Sequence, residues 1–209
     1  MSAREHPADA SDAGQVGVSS AAAAYALFET AIGRCGIAWS GEAVAAFALP
    51  GADDRATAAR LRRTRPGAQE AALPRWAERC VQAVRGLLAG EQADLASIPL
   101  DLGGVPAFER RVYALLRAVP AGETVTYGEL ATRAGSPGAA RAVGAAMGRN
   151  PIPVIIPCHR VLAGSGRSGG FSAPGGVSTK FRLLQIEQAG RGGEGLLFDT
   201  LPLAVRKAP

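Results

Sequence analysis

The sequence predicts an α+β protein in two parts: a small antiparallel sheet with its helices in the N-terminal half, and a helix-turn-helix unit in the C-terminal half. Three observations carry this. Short apolar runs cut by glycine fill residues 28–49, the pattern of small antiparallel strands. Between Thr126 and Met147 the chain writes a helix start, a glycine stop and a second start. A proline-stiffened segment then ends in Cys158, His159 and Arg160. At 209 residues and 47% hydrophobic content the chain can bury a real core.

Taken in order, residues 1–20 are polar, small and acidic and read as a disordered tail. They lack the basic and apolar regions of a secretory leader, which places the protein in the cytoplasm. Residues 21–104 form the sheet scaffold and its connector. Strands are expected at 28–32, 35–39 and 44–49, with turns at Gly33-Arg34 and Ser40-Gly41. A helix over 52–65 should stop at Pro66-Gly67. Another carries Trp76, Cys80, Val84 and Leu87 at helical spacing, with Pro74 in its first turn and Gly90 beyond its end. Cys80 on that stripe and Cys35 in a strand are core residues. This half shows no chemistry.

The second unit spans 105–190, and residues 191–209 form a C-terminal tail whose apolar stretches around Leu197 and Leu203 could dock. Phe108, Val112, Leu115, Leu116 and Val119 mark an amphipathic helix stopped by Pro120-Ala121-Gly122. Thr126 with Glu129 three residues on has the capping-box form. Tyr127, Leu130, Ala131 and Ala134 share one face of the helix it opens, and Gly135 ends it. Ser136 is expected to cap the next helix, with Pro137 at its first position, running from about residue 138 to 147. That second helix is built of Ala and Gly apart from Arg141, Val143 and Met147. Reading base edges in a major groove would want Asn, Gln or several Arg. So slim a helix suits either close approach to a narrow groove or tight packing on a neighbour.

Charge is uneven. Residues 1–104 carry 10 Lys/Arg against 12 Asp/Glu, whereas 105–190 carry 10 against 4. The basic half is the half that holds Cys158, as expected for a polyanionic partner. No apolar run reaches the roughly 20 residues of a membrane span. Three cysteines, an odd count with no C-x-x-C pair, indicate free thiols in a reducing compartment and argue against a zinc cluster.

The segment 150–161 holds the chemistry. Pro151, Pro153 and Pro157 predict a stiff extended run, apolar at Val154, Ile155 and Ile156, ending in a turn. His159 is one of two histidines, and the other, His6, lies in the tail. A thiol beside the interior imidazole reads as an activated nucleophile. In the last helix, started at Ser178 or Thr179 and ended by Gly190, Glu187 shares a face with Leu183 and Leu184. An inward carboxylate needs a partner, and His159 is the natural one. The Gly- and Ser-rich stretch 163–176 around Phe171 can shape a pocket.

Pro157-Cys158-His159-Arg160-Val161 resembles the active-site motif of the O6-alkylguanine-DNA alkyltransferases. Asn150-Pro151-Ile152-Pro153, Tyr127-Gly128-Glu129-Leu130-Ala131 and Ala139-Ala140-Arg141-Ala142-Val143-Gly144 fit in the same order. The resemblance implies a ribonuclease H-like N-terminal sheet and a winged-helix-like C-terminal unit. It implies DNA repair by irreversible transfer of a methyl or other alkyl group from O6-alkylguanine, with room for O4-alkylthymine, in flipped-out double-stranded DNA to Cys158. Each molecule would act once. In that scheme Glu187 holds His159, His159 holds a water, and the water takes the Cys158 proton. Tyr127 donates to the leaving guanine and Asn150 braces the turn. Arg141 fills the emptied stack, while Ala139, Ala140 and Gly144 lie against the minor groove. Pro153, Val161, Phe171 and Ser172 belong to the substrate pocket, with Phe171 where the family usually has tyrosine. The protein would act as a monomer, without cofactor or metal, since the cysteine and histidine set that some relatives use for zinc is missing. A lesion-binding module and a Cys-His hydrolase are the competing readings.

Overall fold

The computed structural model describes residues 23–164 and 168–188. The expectations for the tails, 1–20 and 191–209, lie outside the described residues. The chain is a mixed α+β protein. Its sheet has the order β3-β2-β1-β4: β1 (Ala24–Thr30), β2 (Gly33–Ser40) and β3 (Ala43–Ala48) are antiparallel, and the short β4 (Gln69–Glu70) is parallel to β1. The first turn differs from expectation. It falls on Ala31 and Ile32, because the Thr30 hydroxyl donates to Gly33 O at 2.6 Å and accepts from Ile32 N at 3.3 Å, closing the hairpin before the apolar run ends. β4 is too short and polar to announce itself, and went unforeseen.

Side chains alternate between the two faces except at a bulge, where Ala38 pairs with Ala46 but Trp39 with Val44. Tyr25, Ala38, Ala46 and Ala48 pack with Ala58 and Leu61 of α1 (Asp54–Thr64), which Asp53 caps through Ala56 N at 2.7 Å. Phe28, Cys35, Ile37 and Phe47 lie in the main core with Val81, Val84 and Leu87 of α2 (Arg75–Leu88). Each such aliphatic or aromatic burial contributes roughly 1.5–3 kcal/mol, so packing on both faces rather than the two-residue β4 holds these helices. The same core continues into α3 (Ala107–Arg117), and Phe47 N donates to Pro151 O at 3.0 Å, tying the sheet to the segment that precedes Cys158.

Next come β5 (Val125–Thr126), α4 (Tyr127–Arg133), α5 (Ala140–Gly148), β6 (Val161–Leu162) and α6 (Gly176–Ile186). Thr126 caps α4 as predicted, with Glu129 N at 3.1 Å and the returning Glu129 carboxylate on Thr126 N at 2.7 Å. Ser136 does not cap α5. Residues 136–139 instead form a turn, closed by Ala139 N on Ser136 O at 3.1 Å, with Pro137 followed by Gly138 at φ 84. Proline then left-handed glycine is the type II arrangement, and it delays the helix to Ala140. α6 begins earlier than expected, after Gly175 at φ 79, and stops at Ile186. The parallel pairing of β5 with β6 sets Val125 beside Val161 and so carries the start of α4 to the cysteine turn.

Candidate active site

The three-proline segment folds back on itself rather than running extended. The Asn150 side chain spans it, accepting from Ile152 N at 3.0 Å and donating to Ile156 O at 2.8 Å, while Ile156 N reaches Ile152 O at 2.8 Å. Val154 sits at φ 74 within this loop. A β-branched residue there is strained by about 1–3 kcal/mol and persists only where its surroundings hold it. Here Ile152, Val154, Ile155 and Ile156 are all buried. Proline rigidity is local, but the compact form is set by one amide and by apolar burial, neither of which proline spacing reveals.

The loop delivers a 3-10 turn, Cys158–Arg160, whose three residues are all buried. His159 Nε2 lies 2.8 Å from Glu187 Oε1, with both side chains at 2% exposure or less. Arg160 grips the same carboxylate, Nε on Oε2 at 2.9 Å and Nη2 on Oε1 at 2.8 Å, and its Nη1 donates to Val119 O. With a carboxylate opposite Nε2, the neutral imidazole carries its proton there. That leaves Nδ1 as an acceptor, and Nδ1 is buried without a protein partner. Burial disfavours the Glu187 charge, but hydrogen bonds from His159 and Arg160 outweigh it and hold the carboxyl down at about 2. Burial pushes the Cys158 thiol up, opposed by the Asn150 side chain and the Lys180 charge. The resting group is therefore a thiol, and its proton must be removed as it reacts.

Cys158 opens onto a cavity of about 890 Å³ lined by Tyr127, Arg141, Gly144, Met147 and Phe171, within the roughly 300–1,000 Å³ of small-molecule sites. Gly169 packs closely against the Tyr127 ring. A Cβ on Gly169, which sits at φ 64, would come within 2.9 Å of the Tyr127 hydroxyl. Burial, then the nearby Cys158, raises the Tyr127 phenol above its usual value, so it stays a proton donor at neutral pH. Ala140, Gly148 and Ser172 also line the cavity, and the Ser172 hydroxyl donates to Gly148 O at 3.3 Å. His159 and Glu187 lie behind the cysteine. Asn150 and Pro153 line an adjoining groove rather than the cavity, Val161 is fully buried in β6, and Ala139 is half-exposed at the head of α5.

Two residues escaped sequence reading. Arg160 counts in the sequence only as a charge beside the nucleophile, and it proves to be the second partner of Glu187. Lys180 is fully buried, its Nζ donating to Val161 O at 2.6 Å and to Ser168 O, and burial lowers its ammonium to about 8. It ties the strand after the cysteine to the loop over the cavity. Lys180 lies seven residues before Glu187 on one helix face, so the periodicity that found Glu187 could have found it. Among the described residues no group of three or more His, Cys, Asp or Glu side chains is set to hold a metal, and no helix is long and apolar enough to cross a membrane.

Residues 107–189 match the family described as the 6-O-methylguanine DNA methyltransferase, DNA binding domain. The methylated-DNA–protein-cysteine methyltransferase of Mycobacterium tuberculosis is 44% identical over 119 residues, covering 57% of this chain and 70% of that protein. The protein of the same description from Methanothermobacter thermautotrophicus is 33% identical over 159 residues, covering 76% and 82%. A crystal structure of M. tuberculosis OGT in complex with DNA superposes with a TM-score of 0.64 at 34% identity, over 78% of this chain and 92% of that one.

Proposed function

The chain belongs to the O6-methylguanine DNA methyltransferase family and is a methylated-DNA–protein-cysteine methyltransferase, a DNA-repair enzyme whose partner is DNA; from this premise we propose that it removes alkyl groups from O6-alkylguanine in flipped-out duplex DNA, once per molecule, onto Cys158. The observation that carries the reading is a pocket-lining thiol beside a buried imidazole whose Nε2 is pinned by Glu187 and whose Nδ1 has no partner. A water between Cys158 Sγ and His159 Nδ1 would complete the relay, since buried polar groups are satisfied by protein or ordered water.

In the proposed reaction the Sγ–C bond forms as the bond from alkyl carbon to O6 breaks, and the electron pair leaves with guanine. The thiol proton passes through water to His159, which shares the resulting charge with Glu187. Tyr127 gives a proton to the guanine ring and is restored from the relay, so in balance the thiol proton ends on guanine. A histidine and water cleave esters, not thioethers, which is the basis for single use. Extruding the nucleotide costs a few kcal/mol, least for a badly paired base. Arg141, exposed on α5 and lining the cavity, is the side chain suited to fill the gap. The same reading takes O4-alkylthymine as a smaller ring the cavity can admit.

The three antiparallel strands with one parallel edge strand support a ribonuclease H-like N-terminal unit, and the β5–β6 pair beside α4 and α5 supports a winged-helix-like one. Incubation of the protein with a duplex carrying O6-methylguanine, followed by peptide mapping, tests the assignment. Methyl on Cys158 supports it, and methyl on Cys35 or Cys80 rejects it.

A further inference from the structure

The N-terminal unit also carries an unbalanced pair of cations at the rim of the active site. Five arginines lie on or next to α1. Arg62 is used structurally, stacking over the Tyr25 ring at 5.0 Å and donating to its hydroxyl. Arg65 is used likewise, on Ala45 O at 3.2 Å, Asp101 O at 2.7 Å and the Asp101 carboxylate at 3.2 Å. Arg60 and Arg63, three apart and therefore on one face, have no side-chain hydrogen bond or ion pair among the described residues. They line a groove of about 190 Å³ together with Arg149, Asn150, Pro153 and Ser172. No carboxylate lines that groove. Arg149 is compensated, with Nε and Nη2 on Glu109 Oε1 at 3.1 and 2.8 Å, which leaves two uncompensated charges.

We propose that Arg60 and Arg63 form a phosphate-binding groove by which the N-terminal unit grips the DNA strand next to the cavity of Cys158. Gly148 and Ser172 line both the groove and the cavity, so a nucleotide lodged in the cavity brings its flanking phosphates to this rim. The groove is smaller than the roughly 300–1,000 Å³ that organic ligands fill, which favours a small anion. Like charges three residues apart on a helix are unfavourable when unanswered. Burial and then the neighbouring Arg63 charge lower the Arg60 guanidinium, as expected for two cations held together. Helix polarity favours cations in a last turn, which accounts for Arg62 and Arg63 but not for Arg60 beside them. General basicity does not explain the pair either, because residues 1–104 carry 10 Lys/Arg against 12 Asp/Glu.

The proposal rests on duplex DNA being the partner, and the test keeps the two apart. Affinity for an undamaged duplex is measured against salt for wild type, R60Q/R63Q, R63Q and, as a control, R55Q, an exposed arginine at the start of the same helix. Each phosphate neutralised contributes about 0.9 to the slope of log K against log salt. The double variant should lose about 1–2 from the slope, R63Q about half of that, and R55Q almost nothing. Alkylation of Cys158 by free O6-benzylguanine should be unchanged in all four. A wild-type slope retained by R60Q/R63Q overturns the groove while leaving DNA binding intact. An equal loss in R55Q also overturns it, because the arginines would then act only through net charge. A wild type without salt-dependent binding removes the premise as well.

Discussion

Glu187→Gln probes the fold and the relay at once. Three charge-assisted hydrogen bonds converge on this carboxylate, from His159 at 2.8 Å and from Arg160 at 2.9 and 2.8 Å. Glutamine keeps the shape but removes the charge, and its amide NH2 must face one of those donors. The carboxyl is held at about 2 against an ordinary 4.5. At 1.36 kcal/mol per unit that depression corresponds to about 3 kcal/mol, in line with the roughly 3–5 kcal/mol expected when a buried ion pair loses one partner. Because the carboxyl is depressed, this stability is complete above the ordinary carboxylate range and is lost as pH falls through about 2. Urea unfolding at neutral pH should therefore show E187Q less stable by about 3 kcal/mol, with the gap closing as pH drops below 4.5. Alkyl transfer from a free-base substrate should slow as well, since His159 is no longer held with Nδ1 ready. A variant within about 0.5 kcal/mol of wild type, the scatter of ordinary surface changes, or one with a wild-type rate, refutes the account of this carboxylate.

Other expectations follow from the same geometry. Lys180→Met should strand the Val161 and Ser168 carbonyls and cost about 1–3 kcal/mol in an unfolding titration, slowing transfer from duplex and free base alike; slowing on duplex alone would argue against a pocket role. Arg141→Ala should slow repair of duplex far more than reaction with free O6-benzylguanine, and equal slowing would contradict the gap-filling role. Because burial raises the Cys158 thiol, the free-base rate should climb with pH from neutral into the alkaline range. A flat profile would mean that removal of the thiol proton does not limit the rate. Cys158→Ser should keep duplex affinity on a binding isotherm while losing alkyl acceptance.

The parts legible in the sequence were those with local signatures. The capping box at Thr126 and Glu129, the buried stripe of α2 and the inward face of Glu187 each follow from spacing alone. The errors share a cause. Pro137 predicts a first helical residue because proline there is common, but Gly138 in the left-handed region makes the pair a turn. The apolar run predicts a first strand reaching Ile32, whereas the Thr30 hydroxyl closes the hairpin earlier. The proline spacing predicts an extended segment because nothing local shows that Asn150 will bridge its two ends. Lys180 carries no signal of its own, because a lysine on a helix is usually solvated and its partners are backbone carbonyls that no sequence pattern displays. Side-chain and backbone partners distant in the chain decide each of these, and only the fold brings them together.

The most direct measurement is the intact mass of the protein after incubation with excess duplex carrying O6-methylguanine, followed over time. The account predicts a gain of one methyl group in place of one proton, on Cys158, reaching one equivalent and then stopping, with unmodified guanine restored in the DNA. Restored guanine continuing to accumulate beyond one equivalent, or a protein mass that does not change while guanine is restored, would contradict it.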